Sequence, residues 1–131
     1  MNDSYKGESG KSDNTSGLPD DSKYPLPDLK YLNEISDGDE TFVKEIIVYF
    51  LETCPGLLTI MKESYLSGDR EKLGFTAHKL LPQLTFVGIL SAIPDVERIE
   101  RGAKLADDLS SLIDGAIITI NYGMEDLKKM I

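Results

Sequence analysis

Apolar residues recur at alternating steps of three and four along most of the chain beyond residue 27, which is the spacing of one buried helical face. The longest such stripe predicts a long helix that begins after the capping segment Ser36–Asp39 and ends at about Leu66. Pro55 lies within the stripe without shifting its phase, so we expect one kinked helix, and a true break at Pro55 is the alternative. The stripe consists of Val43, Ile47, Phe50, Cys54, Leu57, Met61 and Tyr65.

Three further segments carry the same pattern. Ser67–Asp69 combines a helix stop with an N-cap and predicts the next helix from Arg70 to about Val87. A shorter helix is expected around Pro94–Arg101, ended by Gly102, and a last helix is expected from Asp107 to Met130. Their predicted buried positions are Leu73, Ala77, Leu80, Leu84, Val87, Val96, Ile99, Leu109, Ile113, Ala116, Ile120, Gly123 and Leu127.

A short apolar group precedes the long helix. Leu29, Leu32 and Ile35 share helical spacing and predict a short turn or helix over Asp28–Ile35. Four amphipathic helices joined by short connections favour an antiparallel bundle. We therefore predict an all-α fold, an antiparallel four-helix bundle over residues 28–131 with a short N-terminal helix.

The first 27 residues have a different composition. They are mainly Gly, Ser, Asp, Asn, Lys and Pro with hardly an aliphatic side chain, so they cannot bury enough apolar surface to offset their ordering entropy. We predict a disordered linker or tail over residues 1–27. Such a segment serves equally well as a free tail or as a tether to a preceding domain.

Charge and cysteine content narrow the classes of partner. A formal net charge of -9 argues against nucleic acid and against anionic lipid surfaces. A single cysteine cannot form an internal disulfide, and one histidine does not provide a Cys/His zinc site. No apolar run approaches about 20 residues, and the polar N-terminus is unlike a secretory signal. We expect a cytoplasmic monomer with protein partners and no direct membrane contact.

The only histidine, His78, lies about 140° from the buried stripe of its helix, on the solvent side. Two phenylalanines and a proline flank this protonatable group, and exposed apolar residues around a histidine indicate a docking surface. The alternative is that the ends of the long helix or the Asp28–Ile35 segment cover the two phenylalanines. The residues on the His78 face are Glu71, Gly74, Phe75, Pro82, Thr85 and Phe86, and Lys79 lies about 100° round the helix.

The block Thr76–Gly88 resembles the phosphorylation helix of histidine phosphotransfer (HPt) domains, in which Ala-His-x-Leu is followed by a glycine ten residues beyond the histidine. Ala77, His78, Leu80 and Gly88 fall on that pattern. Similar segments precede it, namely Gly38-Asp39-Glu40, Phe50-Leu51-Glu52 leading to Pro55, and Ser67-Gly68-Asp69. The resemblance covers about Leu29 to Ile131, and the Leu81-Pro82 pair is most similar to the HPt modules attached to hybrid sensor kinases.

Two positions depart from the family pattern. The usual lysine three residues after the histidine is Leu81, and the glycine that follows it is Pro82. That lysine is thought to help hold the phosphate. Lys79 is next to His78 in sequence but can reach it only by bending back.

The resemblance implies that His78 accepts a phosphoryl group from a receiver-domain aspartate and passes it to an aspartate on a second receiver. Mg²⁺ and acid–base groups would come from the receiver, because Glu71 is the one carboxylate on the His78 helix face. The chain would then be a phosphocarrier with no cofactor or metal of its own, not an enzyme. Its partners would be receiver domains of response regulators or of a hybrid sensor kinase.

Two other functions remain open at this stage. The absent lysine favours a helical bundle that has lost phosphotransfer and acts only as an interaction module. An enzyme with His78 as general base is less well supported, because the sequence places no nucleophile, second base or glycine-rich loop with the histidine.

Overall fold

The computed structural model describes residues 24–131, and within this range the chain folds into five α-helices and one short 3-10 turn, with no β-strand. The predicted all-helical class is therefore confirmed. Most of the predicted tail, residues 1–23, lies outside the described residues. The helices are α1 (Lys30–Ser36), α2 (Glu40–Ser67), α3 (Arg70–Val87), α4 (Ile93–Leu105) and α5 (Ser110–Lys129), and the 3-10 turn is Leu90–Ala92.

Capping residues determine where α2 and α3 begin and end. The carboxylates of Asp39 and Asp69 accept hydrogen bonds from backbone N–H groups in the first turns of α2 and α3, at 3.1 and 3.0 Å. Gly68 and Gly88 end the two helices in the left-handed conformation, with φ of 81° and 75°. The predicted bounds of α3 are confirmed, and α2 extends to Ser67, one residue beyond expectation.

Two prolines lie inside helices that remain continuous. Pro55 is within α2 and Pro82 is within α3. The predicted single long helix is confirmed, and the alternative of a break at Pro55 is wrong. Because proline has no N–H, the backbone carbonyls of Leu51 and His78 lose their usual intrahelical donor.

The core lies where α2, α3, α4 and α5 meet. Both α2 and α4 pack against α3 and α5. All predicted core positions of α3 and α5 are buried. In α2 the buried stripe shifts after Pro55, so Leu58 is buried while Leu57 is half-buried. In α1, Leu32 is buried but Ile35 is exposed, because two steps of three residues drift by about 120° around a helix.

The bounds of α4 differ most from the sequence prediction. The helix continues past Gly102 to Leu105 and ends at Ala106, which has a φ of 60°. Gly102 is buried, and a Cβ there would lie 2.7 Å from the Cδ2 atom of Leu109. This glycine therefore permits close packing and does not end the helix. The helix α5 begins at Ser110, whose N–H donates to the Asp108 carboxylate at 3.1 Å.

The segment before α1 packs against the helices. The Tyr24 ring stacks on Tyr122 with ring centroids 4.2 Å apart, and Pro27 is buried. The Asp28 N–H donates to the Gly88 carbonyl at 3.0 Å. Packing contacts therefore begin by Tyr24, ahead of the predicted domain boundary at Asp28.

Candidate functional site

His78 lies near the middle of α3 with its side chain directed to solvent. That side chain is 70% exposed, while its neighbour Ala77 and the next core residue, Leu80, are fully buried. The predicted exposure of His78 is confirmed. It follows from the buried stripe of α3, which turns the histidine away from the core.

A carboxylate from α4 contacts the imidazole ring. The Nδ1 atom of His78 lies 2.7 Å from the Oε2 atom of Glu100, whose side chain is 27% exposed. An ionised carboxylate only accepts hydrogen bonds, so Nδ1 carries the hydrogen. In the neutral ring the lone pair is then on Nε2, which has no hydrogen-bond partner within residues 24–131.

Glu100 is the functional residue that the sequence reasoning missed. The helical wheel of α3 gives Glu71 as its one carboxylate on the His78 face, but Glu100 is 22 residues away in sequence and comes from another helix. Its position beside the buried residue Ile99 shows from sequence that it borders the apolar face of α4. Sequence does not show which helix that border faces.

The helices α3 and α4 run antiparallel with a defined register. The Arg70 guanidinium donates to the carbonyl of Asp107, just beyond the end of α4, at 2.8 Å. One turn further along α3, a Cβ built on Gly74 would lie 3.5 Å from the Cβ of Ala103. After another turn, His78 meets Glu100. Gly74 and Ala103 are small, so they let the two helix backbones approach closely. A groove of about 550 Å³ lies along this contact.

The predicted docking residues lie around this groove and along the outer face of α3. Glu71, Lys79, Pro82 and Thr85 are exposed, and Gly74 is half-buried against α4. Of these, Glu71 and Gly74 line the groove beside His78. Their role in partner docking remains a prediction.

The two phenylalanines differ in how far the rest of the chain covers them. Phe75 is 64% exposed, and the Lys79 ammonium lies 5.5 Å from its ring centroid. Phe86 is 38% exposed and contacts the Tyr31 ring of α1 at a centroid distance of 5.8 Å. The helix α1 therefore partly covers Phe86, as the alternative interpretation required, whereas Phe75 projects from the surface.

The position of the usual HPt lysine is occupied by a side chain that faces the core. Leu81 is half-buried and packs against the hydrophobic core. The Lys79 ammonium is drawn over Phe75, on the side of α3 toward its N-terminus. Neither residue therefore places a cation beside His78 in this structure.

A hydrogen-bonded cluster lies beside Arg70, which is one of the residues that line the groove. The Tyr65 hydroxyl donates to the Asp108 carboxylate at 3.0 Å and accepts from the Leu109 N–H at 3.1 Å, and the Arg70 guanidinium lies 5.2 Å from the Tyr65 ring centroid. The pKa of Asp108 is lowered, first by the Ser110 N–H hydrogen bond and then by the Tyr65 hydroxyl. This cluster connects the end of α2 to the start of α5.

Three other functional features concern residues 24–131, namely metal-ligand groups, membrane-spanning helices and the thiol of Cys54. No group of three or more His, Cys, Asp or Glu residues in this range is arranged to hold a metal ion. No helix in the same range combines the length and apolar character that a membrane span requires. Cys54 is buried, and burial raises the pKa of its thiol to about 12, so it is held protonated near neutral pH.

The arrangement presents one nucleophilic nitrogen on an exposed helix face. Glu100 orients the ring from the side of α4, and the groove beside it is open to solvent on its outer side. This geometry suits reaction with a group carried by another protein better than enclosure of a small substrate. In comparisons with known proteins, no protein-family model, curated protein or solved structure matches this chain.

Proposed function

We propose that this chain is an HPt-type phosphocarrier, which accepts a phosphoryl group on His78 from a receiver-domain aspartate and passes it to another receiver aspartate. The observation that carries the proposal is the hydrogen bond between Nδ1 and Glu100 on a histidine that is 70% exposed. It leaves the Nε2 lone pair without a hydrogen-bond partner within residues 24–131. An exposed, neutral imidazole needs no further activation to act as a nucleophile near pH 7.

In the transfer step the Nε2 lone pair attacks the phosphorus atom of an aspartyl phosphate. The phosphorus–oxygen bond to the aspartate breaks, and its electron pair leaves with the carboxylate. The Nδ1 hydrogen stays in its bond to Glu100, which stabilises the positive charge that forms on the ring. The return reaction to a second aspartate runs through the same atoms in reverse.

The fold supports this proposal. We propose that α2 to α5 form the antiparallel four-helix bundle of HPt domains, with α1 as an additional short helix. The contacts in support are those of α2 with α3 and α5 and of α4 with the same two helices. This arrangement presents the middle of α3, including His78, on an outer face.

The partner would dock on the surface around His78. We assign to docking the exposed apolar residue Phe75, Lys79 and the other residues predicted on the His78 face, namely Glu71, Gly74, Pro82, Thr85 and Phe86. Phosphoryl transfer requires a metal ion to neutralise the equatorial oxygens, and the receiver would supply Mg²⁺. The chain would then act as a monomeric, cytoplasmic substrate of receiver domains.

One observation favours a second function. Because Leu81 packs toward the core in place of the usual lysine, the same surface can serve as a docking module without chemistry. Both functions use the same face of α3. They differ in whether His78 acquires phosphate.

The deciding experiment measures transfer directly. The chain is incubated with a panel of phosphorylated receiver domains from the same genome, and loss of label from each receiver is followed with time. Label should appear on the wild-type chain and be absent from His78→Gln, whose fold should be intact because His78 is exposed and the loss of its one partly exposed pair costs about 1 kcal/mol or less. Binding of a receiver without transfer would support the interaction module, and equal labelling of both proteins would refute the proposal.

A further inference from the structure

We propose that Lys104, on α4, binds the phosphoryl group carried by His78 and supplies the positive charge that α3 lacks at Leu81. This inference rests on the proposed function, because it concerns the phosphorylated form of His78. Lys104 lines the same groove as His78 and Glu100. It is exposed and lies in the last turn of α4.

The other cations near the groove are engaged elsewhere. The Arg70 guanidinium donates to the Asp107 carbonyl and stacks over Tyr65. The Lys79 ammonium lies over the Phe75 ring. Lys104, by contrast, has no ion pair or hydrogen bond to another side chain within residues 24–131. It is therefore the groove cation that can turn to a new anion without breaking a side-chain contact made within the described residues.

The antiparallel register directs Lys104 and His78 toward each other. In an α-helix each side chain leans toward the N-terminus of its own helix. Lys104 is one turn beyond Glu100, so it leans along α4 toward Glu100 and the histidine level. His78 leans along α3 toward Gly74, which faces Ala103 beside Lys104. Residues one turn apart are separated by about 5–6 Å, a distance that the four-carbon stem of lysine can span.

The negative charge of a phosphoryl group on His78 gives a reason for it to bind Lys104. A phosphoryl group adds a charge of about -1.5 to -2 at neutral pH. The groove beside His78 already contains the carboxylates of Glu71 and Glu100. Without a cation the new dianion would be held against two like charges, which disfavours it. Lys104 opposes that repulsion and forms a charge-assisted hydrogen bond with a phosphoryl oxygen.

A purely structural role for Lys104 makes a different prediction. A lysine in the last turn of a helix interacts favourably with the helix dipole, and its loss would lower stability by about 0.3–1 kcal/mol. In that case the variant would melt earlier but keep its phosphate as long as wild type does. Lifetime of phosphohistidine is therefore the measurement that separates the two roles.

The test uses the full chain and phosphoramidate, a small phosphoryl donor that needs no receiver. The Nε2 lone pair of His78 attacks phosphorus, the phosphorus–nitrogen bond breaks with its electron pair, and ammonia leaves. Phosphohistidine is quantified by phosphorus NMR during loading, and its decay is followed after removal of the donor. The proteins compared are wild type, Lys104→Gln, Lys104→Arg, the double variant Lys104→Gln with Leu81→Lys, and Arg101→Gln, which removes an exposed cation of α4 that does not line the groove.

Lys104→Gln should shorten the phosphohistidine lifetime or lower its steady-state level by about threefold to tenfold, as expected for loss of one charge-assisted hydrogen bond that is weakened by exposure to solvent. Lys104→Arg and the Leu81→Lys double variant should recover most of the loss. Arg101→Gln should match wild type. The difference between wild type and Lys104→Gln should shrink in about 1 M salt, where the Debye length is about 3 Å.

Two results would overturn the inference, and they have different meanings. If wild type is phosphorylated on His78 but Lys104→Gln loses phosphate no faster than Arg101→Gln, Lys104 does not bind the phosphoryl group and the phosphocarrier proposal stands. If phosphoramidate and phosphorylated receivers both leave His78 unlabelled in folded wild type, the proposed function fails and this inference fails with it.

Discussion

Removing the Glu100 carboxylate should slow phosphoryl acceptance by His78 about twofold to fivefold while leaving the chain folded. In Glu100→Ala the Nδ1 atom loses its acceptor at 2.7 Å, so the ring hydrogen is no longer held on that side. The tautomer with hydrogen on Nε2 then becomes populated. In that tautomer Nε2 has no lone pair available to attack phosphorus.

The size of the effect follows from the exposure of the pair. Hydrogen bonds to charged groups contribute about 1.5–3 kcal/mol, whereas fully exposed ion pairs contribute about 0.2–1 kcal/mol. Because the side chains are 70% and 27% exposed, we take a value of about 1 kcal/mol, where the two ranges approach each other. Since about 1.4 kcal/mol corresponds to a factor of ten, the tautomer ratio should shift about fivefold.

Nitrogen-15 NMR shows which ring nitrogen carries the hydrogen, and single-turnover transfer from phosphoramidate gives the rate. Glu100→Gln should recover much of the rate, because its amide oxygen can still accept from Nδ1. Glu97→Ala removes an exposed carboxylate from the same helix and serves as the matched control. A wild-type rate and an unchanged tautomer in Glu100→Ala would show that this reasoning is wrong.

Three further outcomes follow from the structure. Phe75→Asp should weaken receiver binding about tenfold or more in titration calorimetry, because Phe75 flanks His78. Tyr49 is about equally exposed but does not flank His78, so Tyr49→Asp should leave the affinity unchanged. In urea denaturation Gly88→Ala should lower the free energy of unfolding by about 2–4 kcal/mol, because an alanine there is strained in the left-handed conformation and its Cβ overlaps the Asp28 carbonyl. Gly68→Ala has the same strain but open space around its Cβ, so it should lower the free energy of unfolding by about 1–2 kcal/mol. A folded-state thiol pKa of about 12 against an ordinary 9.0 means that the unfolded chain releases the Cys54 proton first, so stability falls as pH rises above 9.0. At pH 10 the wild type should have lost about 1.4 kcal/mol more than Cys54→Ala relative to pH 8, and parallel pH profiles would contradict this.

The helices were predictable where local signals and periodicity agree. Asp69 and Gly88 marked the ends of α3 because a cap and a left-handed glycine are local requirements of a helix. Gly102 carried the same sequence signal as Gly88 but has a different function. Its position is set by the close approach of Leu109, a contact between segments that periodicity within one helix does not show.

The candidate site was predictable only as far as a single helix determines it. The exposure of His78 followed from the phase of the α3 stripe, and that prediction is confirmed. Glu100 and Lys104 depend on how α4 is rotated and aligned against α3. That alignment follows from packing of Gly74 against Ala103. The sequence around either residue does not indicate which residue of another helix it contacts.

The contact between α3 and α4 thus connects the fold to the chemistry. Glu100 and Lys104 are one turn apart on α4, so a single register places the carboxylate at Nδ1 and puts Lys104 in the same groove. A displacement of α4 by one residue along its axis, about 1.5 Å with a 100° rotation, would break the Glu100 contact and turn Lys104 away from the groove. Larger side chains at Gly74 or Ala103 should therefore impair phosphoryl transfer through the helix register, although neither residue has a functional group that reacts.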